Sequence, residues 1–254
     1  MKKITVVGWH IGNQEDVSPA VIKAIYDADI IVTEAGIDQV HGGWWNNHSD
    51  MAGPDGKQLK YMEDNKHKLA DYLELEANNE FNSIIDKYED IILMAFEGMP
   101  GVQDPAATFL EVAYQRQDVK IEVVPGPDAV ASMIAVSGFG GNGFSFAGFH
   151  QGEPEKLVNS LSRFKHQDFL QTPIVLFFRD FELKLILNAV MDVFGADMDI
   201  AIGVNLSRRD SIVKRGKVSE LIENFTIPNL GTEDAELNKC ALAIRNEYFV
   251  HSSR

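Results

Sequence analysis

The sequence predicts an α/β protein of two α/β domains, the first built on a parallel sheet. Three observations carry this. The first 33 residues alternate strand, helix and strand, the unit that makes parallel sheets. Two apolar strands, near 91–95 and 121–124, lie one helix apart and both end in Gly/Pro-rich loops. A glycine-rich segment, Gly138-Phe139-Gly140-Gly141-Asn142-Gly143, interrupts the pattern midway and places the domain boundary between residues 142 and 143.

Ile4-Thr5-Val6-Val7-Gly8 reads as a buried strand. Ser18-Pro19 then supplies an N-cap and a proline at the first helical position, and Val21, Ile22 and Ile25 form the helix's apolar face. Strand Ile30-Ile31-Val32 follows Asp29. Residues 36–60 are rich in Gly, Asn and Asp, carry Trp44-Trp45, and read as a long loop. One helix is expected over 63–87, a strand over 91–95, a helix over 105–117, a strand over 121–124 and a helix from Asp128 to about Val136. Beyond the glycine-rich segment, strands are expected at 144–149, 173–178, 198–204 and 240–245, with helices at 153–166, 181–194 and 217–223. Residues 226–238 read as a surface loop and 251–254 as a frayed end.

Hydrophobic residues make up 45% of the 254, enough for a sizeable core. The single cysteine, Cys240, excludes an intrachain disulfide framework, fits a reducing compartment, and lies in an apolar run that predicts a buried thiol. No stretch reads as a signal peptide or a membrane span, so a soluble cytoplasmic protein without membrane partners is expected. The formal net charge of −15 is uneven: residues 1–142 carry 10 Lys+Arg against 23 Asp+Glu, and residues 143–254 carry 13 against 15. An acidic surface disfavours general nucleic-acid binding. The basic cluster Arg208, Arg209, Lys214, Arg215 and Lys217 reads either as the solvated end of a hairpin or as a rim for RNA.

The chain has no Gly-x-x-x-x-Gly-Lys-Ser/Thr loop, no dinucleotide fingerprint after Gly8 and no Gly-x-Ser-x-Gly elbow. His41, His48 and Asp50 match no metal-ligand spacing, so no metal is expected. The Gly/Pro-rich ends of the strands near 91–95 and 121–124 form the expected floor of a small-molecule site, because parallel α/β sheets bind ligands at the carboxyl ends of their strands.

Five segments, in order, resemble one family. Ile11-Gly12-Asn13, with Asp16 and Ser18 following, is similar to the opening loop of the bacterial 16S rRNA cytidine 2′-O-methyltransferases, members of the tetrapyrrole (corrin/porphyrin) methylase superfamily. Asp29 and Glu34 resemble the family's second strand and its end. Gly98, Pro100, Asp104 and Pro105 resemble its Gly-x-Pro-x-x-x-Asp-Pro segment, with Met99 where the superfamily carries Asp. Pro125-Gly126-Pro127 resembles Pro-Gly-Pro-Ser-Ala, with Asp128 in place of Ser. Gly148-Phe149, Phe177-Phe178, Leu206-Ser207-Arg208 and Arg215-Gly216 resemble pieces of its second half.

The resemblance implies a tetrapyrrole-methylase-like fold with a cleft between the domains and a C-terminal mixed sheet. It also implies a homodimer and S-adenosylmethionine as methyl donor. Gly98, Met99, Pro100, Gly101, Val102, Pro125, Gly126, Phe178 and Asn205 are the candidate donor-binding residues; Glu34 and Asp104 are the candidate bases for a hydroxyl acceptor. The implied acceptor is a 2′-hydroxyl of small-subunit ribosomal RNA. Departures bear on this. Ala35-Gly36-Ile37 stands where the rRNA enzymes carry Asp-Thr-Arg, Arg179-Asp180 where they carry Glu-Ser, and Val204-Asn205 replaces an Arg-Glu pair. These loops would face the acceptor. A small-molecule, peptide or tetrapyrrole acceptor, or a non-catalytic donor-binding scaffold, therefore stays open.

Overall fold

The structure is a computed structural model that describes residues 1–33, 69–95, 98–102, 106–140, 143–165, 172–228 and 238–245. The chain divides into two compact units, Met1–Asp128 and Ala129–Arg254.

The first unit is built on strands β1 (Lys2–Val7), β2 (Ile30–Thr33), β3 (Leu69–Asp71), β4 (Asp90–Met94) and β5 (Val119–Val124) in the order β3-β2-β4-β1-β5. Every pairing is parallel. Helix α1 (Pro19–Asp27) begins as predicted: Ser18 Oγ accepts from Val21 N at 3.2 Å and Pro19 opens the first turn. Its buried Val21 and Ile25 pack with Val7, Ile31, Ile92 and Met94 on one face of the sheet. Helices α2 (Tyr72–Ala77), α3 (Phe81–Lys87) and α4 (Ala106–Tyr114) cover the other face, where Phe81 and Phe109 pack with Ile4, Val6, Ile91 and Leu93. Asp29 Oδ2 accepts from the main-chain N of Glu89 and Asp90 at 3.1 and 3.0 Å, tying the start of β2 to that of β4.

The single helix expected over 63–87 is corrected. Within its described part, residues 69–71 form a strand, and two short helices follow, separated at Asn78-Asn79-Glu80. Asn79 takes a left-handed φ of 57°, which stops a helix. Asp71 then caps α2, its Oδ1 accepting from Leu73 N and Glu74 N at 2.8 and 3.2 Å.

In the second unit, strands β6 (Ser145–His150), β7 (Ile174–Arg179), β8 (Asp199–Val204), β9 (Ile212–Lys217) and β10 (Lys239–Ile244) form a mixed sheet in the order β6-β7-β10-β8-β9. β6 and β7 are parallel; the other pairs are antiparallel. Helices α6 (Pro154–Lys165), α7 (Leu183–Phe194) and α8 (Val218–Asn224) cover the face made by Leu176, Phe178, Ile202, Val204, Cys240 and Leu242.

Helix α5 (Ala129–Ser137) packs against β7, β8, β9 and β10, and so is grouped with this unit. On the face away from α6–α8, the register aligns Ala201 with Ala243 and Gly203 with Ala241. These small residues let α5 approach closely: a Cβ on Gly203 would sit 2.8 Å from Met133 Sδ.

Candidate functional site

The chain path locates the site. From β1 it runs through α1 to β2, passing β4; from β4 it runs through α4 to β5, passing β1. The two connections travel in opposite directions from neighbouring strands. Right-handed crossovers then put α1 and α4 on opposite faces, as their core partners show. The connections after β1 and β4 therefore leave toward opposite faces, and it is outside the carboxyl ends of the strands at such a switch point that open α/β sheets bind ligands.

Hydrogen bonds lace three strand ends together there. Trp9 N donates to Gly98 O at 2.8 Å, and Gly98 N donates to His10 O at 3.0 Å. Gly8 N donates to Val124 O at 3.0 Å, and Gly126 N donates to Met99 Sδ at 3.3 Å. Gly8 and Gly126 meet backbone to backbone; a Cβ on either would overlap the other's main chain. The turn that follows is closed by Val102 N donating to Met99 O at 3.3 Å, with φ of 70° at Gly98 and 88° at Gly101. Among the described residues, a Cβ on Gly101 would meet nothing within 4 Å. Here the glycine serves the backbone conformation.

The loop after β1 is organised by its own polar groups. His10 is 1% exposed, and its Nδ1 accepts from Gly12 N at 3.1 Å. Asn13 Oδ1 accepts from Glu15 N at 3.1 Å, an Asx-turn that starts the short 3-10 helix Gln14–Asp16. The Ile-Gly-Asn segment thus shapes this end of the sheet through local bonds.

Of the residues singled out from sequence, Gly98, Met99, Pro100, Gly101, Val102, Pro125 and Gly126 come together at this end of the parallel sheet. Glu34 and Asp104 lie outside the described residues, as do Trp44-Trp45 and the histidines at 41 and 48. Phe178 and Asn205 belong to the second unit. The Phe178 ring is a core side chain. Both Asn205 amide hydrogens are taken, by Asp210 Oδ2 at 3.1 Å and Asn238 Oδ1 at 2.9 Å, while its Oδ1 accepts from Lys239 N at 3.0 Å. Asn238 in turn donates to Asp180 Oδ2 at 3.0 Å. Asn205 is a strut between the ends of β7, β8 and β10, with a left-handed φ of 49°. Sequence reasoning passed over Gly8 and His10. Gly8 carried a signal, a glycine directly after a buried strand; His10 carried none.

Much of the basic cluster is engaged internally. Arg215 Nη1 donates to Ser137 O at 3.2 Å, at the carboxyl end of α5, and its guanidinium lies 4.5 Å from the Phe139 ring centre. Lys217 pairs with Asp199 at 2.8 Å and Arg208 with Asp210 at 3.5 Å. Arg209, Lys214 and Arg215 are exposed. Cys240 is buried, and burial foremost, with the Asp180 carboxylate second, pushes its thiol from 9.0 up to about 12, which removes it as a nucleophile. Among the described residues, no group of three or more His, Cys, Asp or Glu could hold a metal ion, and no helix is long and apolar enough to cross a membrane.

Comparison with known proteins agrees with this architecture. The family model described as Tetrapyrrole (Corrin/Porphyrin) Methylases matches residues 3–222. Ribosomal RNA small subunit methyltransferase I of Thermotoga maritima is 28% identical over 89% of this chain and 92% of its own length. The protein of the same name from Mesomycoplasma conjunctivae is 25% identical over 89% of this chain and 87% of its own length. Among solved structures, a diphthine synthase superposes with a TM-score of 0.60 at 11% identity, covering 95% of this chain and 89% of that one. Uroporphyrin-III-C-methyltransferase from Thermus thermophilus gives 0.57 at 14% identity, covering 97% and 95%. At these identities the two structures speak to the fold alone.

Proposed function

The chain belongs to the tetrapyrrole (corrin/porphyrin) methylase family and is a methyltransferase, and we propose that its donor is S-adenosylmethionine and its acceptor a ribose 2′-hydroxyl of small-subunit ribosomal RNA. The observation that carries the donor assignment is the laced set of strand ends at the carboxyl side of β1, β4 and β5, where β1 and β4 form the switch point of the sheet. Its turn at 98–102 holds its backbone in a fixed conformation, with no described atom within 4 Å of where a Cβ on Gly101 would be. Such a wall suits a ligand with a flat base, a ribose and an amino-acid tail, which needs close backbone approach and a few directed N–H and C=O groups. Gly98, Met99, Pro100, Gly101, Val102, Pro125 and Gly126 would hold it, and Phe178 and Asn205 would act by shaping their own unit.

The donor, when bound, supplies an electrophilic methyl group on a positively charged sulfur. The excess of carboxylates over residues 1–142, 23 Asp+Glu against 10 Lys+Arg, favours approach of such a cation. What remains for the protein is positioning of the acceptor in line and removal of its proton. Glu34 and Asp104 are the proposed bases. Glu34→Gln is expected to lower turnover while leaving donor affinity intact; unchanged turnover removes it from that role.

The ribosomal acceptor is supported by the names of the relatives. A different acceptor is favoured by one observation: Arg208, Arg215 and Lys217 each bond a group of their own unit. Incubation with labelled donor and small ribosomal subunits lacking the modification separates the two. Label on a ribose of the small-subunit RNA is expected. Donor binding without transfer to those subunits would point to another acceptor. The reading includes a homodimer, checked by sedimentation of the purified protein.

A further inference from the structure

We infer that His10 is a positioning residue for the donor site, acting through its neutral ring on the loop after β1; the inference rests on the donor reading above. The residue is buried at the switch point between β1 and β4 and holds the loop in two ways. Its main-chain O accepts from Gly98 N at 3.0 Å, joining the loops after β1 and β4, and this bond is available to any residue at position 10. Its ring Nδ1 accepts from Gly12 N at 3.1 Å, and this bond depends on the side chain.

Acceptance at Nδ1 assigns the tautomer: in the neutral ring the hydrogen then sits on Nε2. The ring centre lies 5.3 Å from that of Trp9, itself packed in the core with Val7 and Val21, so the imidazole cannot swing freely. Gly12 has a φ of 120°, a conformation with little intrinsic preference to hold it. The ring nitrogen fixes the direction of that amide, and with it the path of Ile11, whose Cγ2 lies 3.6 Å from where a Cβ on Gly98 would be. The His10 ring therefore fixes the path of the opening loop at Ile11 and Gly12 beside the 98–102 turn.

Two substitutions separate this role from simple filling of space. Asparagine places its amide oxygen close to the position of Nδ1 and keeps an acceptor for Gly12 N. Leucine fills the buried volume better and offers no acceptor. The expected result is that His10→Asn binds S-adenosylmethionine with nearly wild-type affinity, while His10→Leu loses about tenfold, the effect of one directed hydrogen bond left unmade. A space-filling role predicts the reverse order.

Amide hydrogen exchange without ligand gives the second readout. Gly12 should exchange faster in His10→Leu and not in His10→Asn, while Gly98, bonded to the main chain of residue 10, stays protected in both. Unchanged Gly12 exchange in His10→Leu overturns the inference, whether or not the donor binds. If the wild-type protein binds neither S-adenosylmethionine nor S-adenosylhomocysteine, the donor reading fails, and the Gly12 exchange still decides whether the ring orders the loop.

Discussion

Gly8 and Gly126 touch through their main chains, so closely that a side chain on either would overlap the other's backbone. The contact joins the ends of β1 and β5, and Met99 seals it from the β4 side by accepting from Gly126 N through its sulfur at 3.3 Å. Three strand ends thus share one packed point beneath the proposed donor turn.

Alanine at either glycine is therefore expected to destabilise the protein by about 2–3 kcal/mol, because the obstacle is backbone and cannot rotate away. Urea unfolding of Gly8→Ala and Gly126→Ala measures this. Gly101→Ala makes the contrast: among the described residues its Cβ meets nothing within 4 Å, and the left-handed φ of 88° resists, at a cost of about 1 kcal/mol.

Met99→Leu keeps the bulk of the side chain and removes the acceptor. Loss of stability of about 1 kcal/mol is expected from the Gly126 N–H left unmatched. Equal stability of the two proteins in urea would show that the sulfur contact contributes nothing.

How much of this was legible depends on sequence distance. The opening βαβ unit, the Ser18 cap and the buried Cys240 could be read because each rests on neighbouring residues. The strand at 69–71 could not, since three residues form a strand only by pairing with β2, and nothing local announces that partner. The glycines at 98, 101 and 126 were recognisable as a set. Yet Gly126 proves to be needed for contact with Gly8, a requirement that appears only when distant segments meet. Asn205 and Arg215 illustrate the same limit: both were polar residues in motif positions, and both turn out to hold their own unit together.

Arg215 closes the carboxyl end of α5 with a hydrogen bond to Ser137 O and a stacked contact on Phe139. Arg215→Ala should cost about 1–2 kcal/mol through loss of both. Arg215→Lys should recover little, because an ammonium cannot stack as the planar guanidinium does. Thermal unfolding of the pair tests this; full recovery by lysine would reduce the role to charge alone.

The buried Cys240 thiol, raised from 9.0 to about 12, gives a pH dependence of definite sign. Between those values the unfolded chain loses the thiol proton while the folded protein keeps it, so the folded state binds more protons and stability falls as pH rises. The contribution is complete below pH 9.0 and is lost as pH climbs towards about 12. Cys240→Ala should flatten this part of the stability–pH curve. Alkylation at pH 8 (about one unit below the thiol's ordinary value) should occur only after unfolding.

The central claim is a donor site at the laced strand ends, and calorimetric titration with S-adenosylmethionine and S-adenosylhomocysteine tests it most directly, on the wild-type protein and on Gly101→Trp. The tryptophan would project from the 98–102 turn where no described atom lies within 4 Å of its Cβ. Micromolar binding by the wild type, lost in a variant that still unfolds cooperatively, is the predicted result. A wild type that binds neither compound, or a variant that binds as tightly as the wild type, would contradict the account.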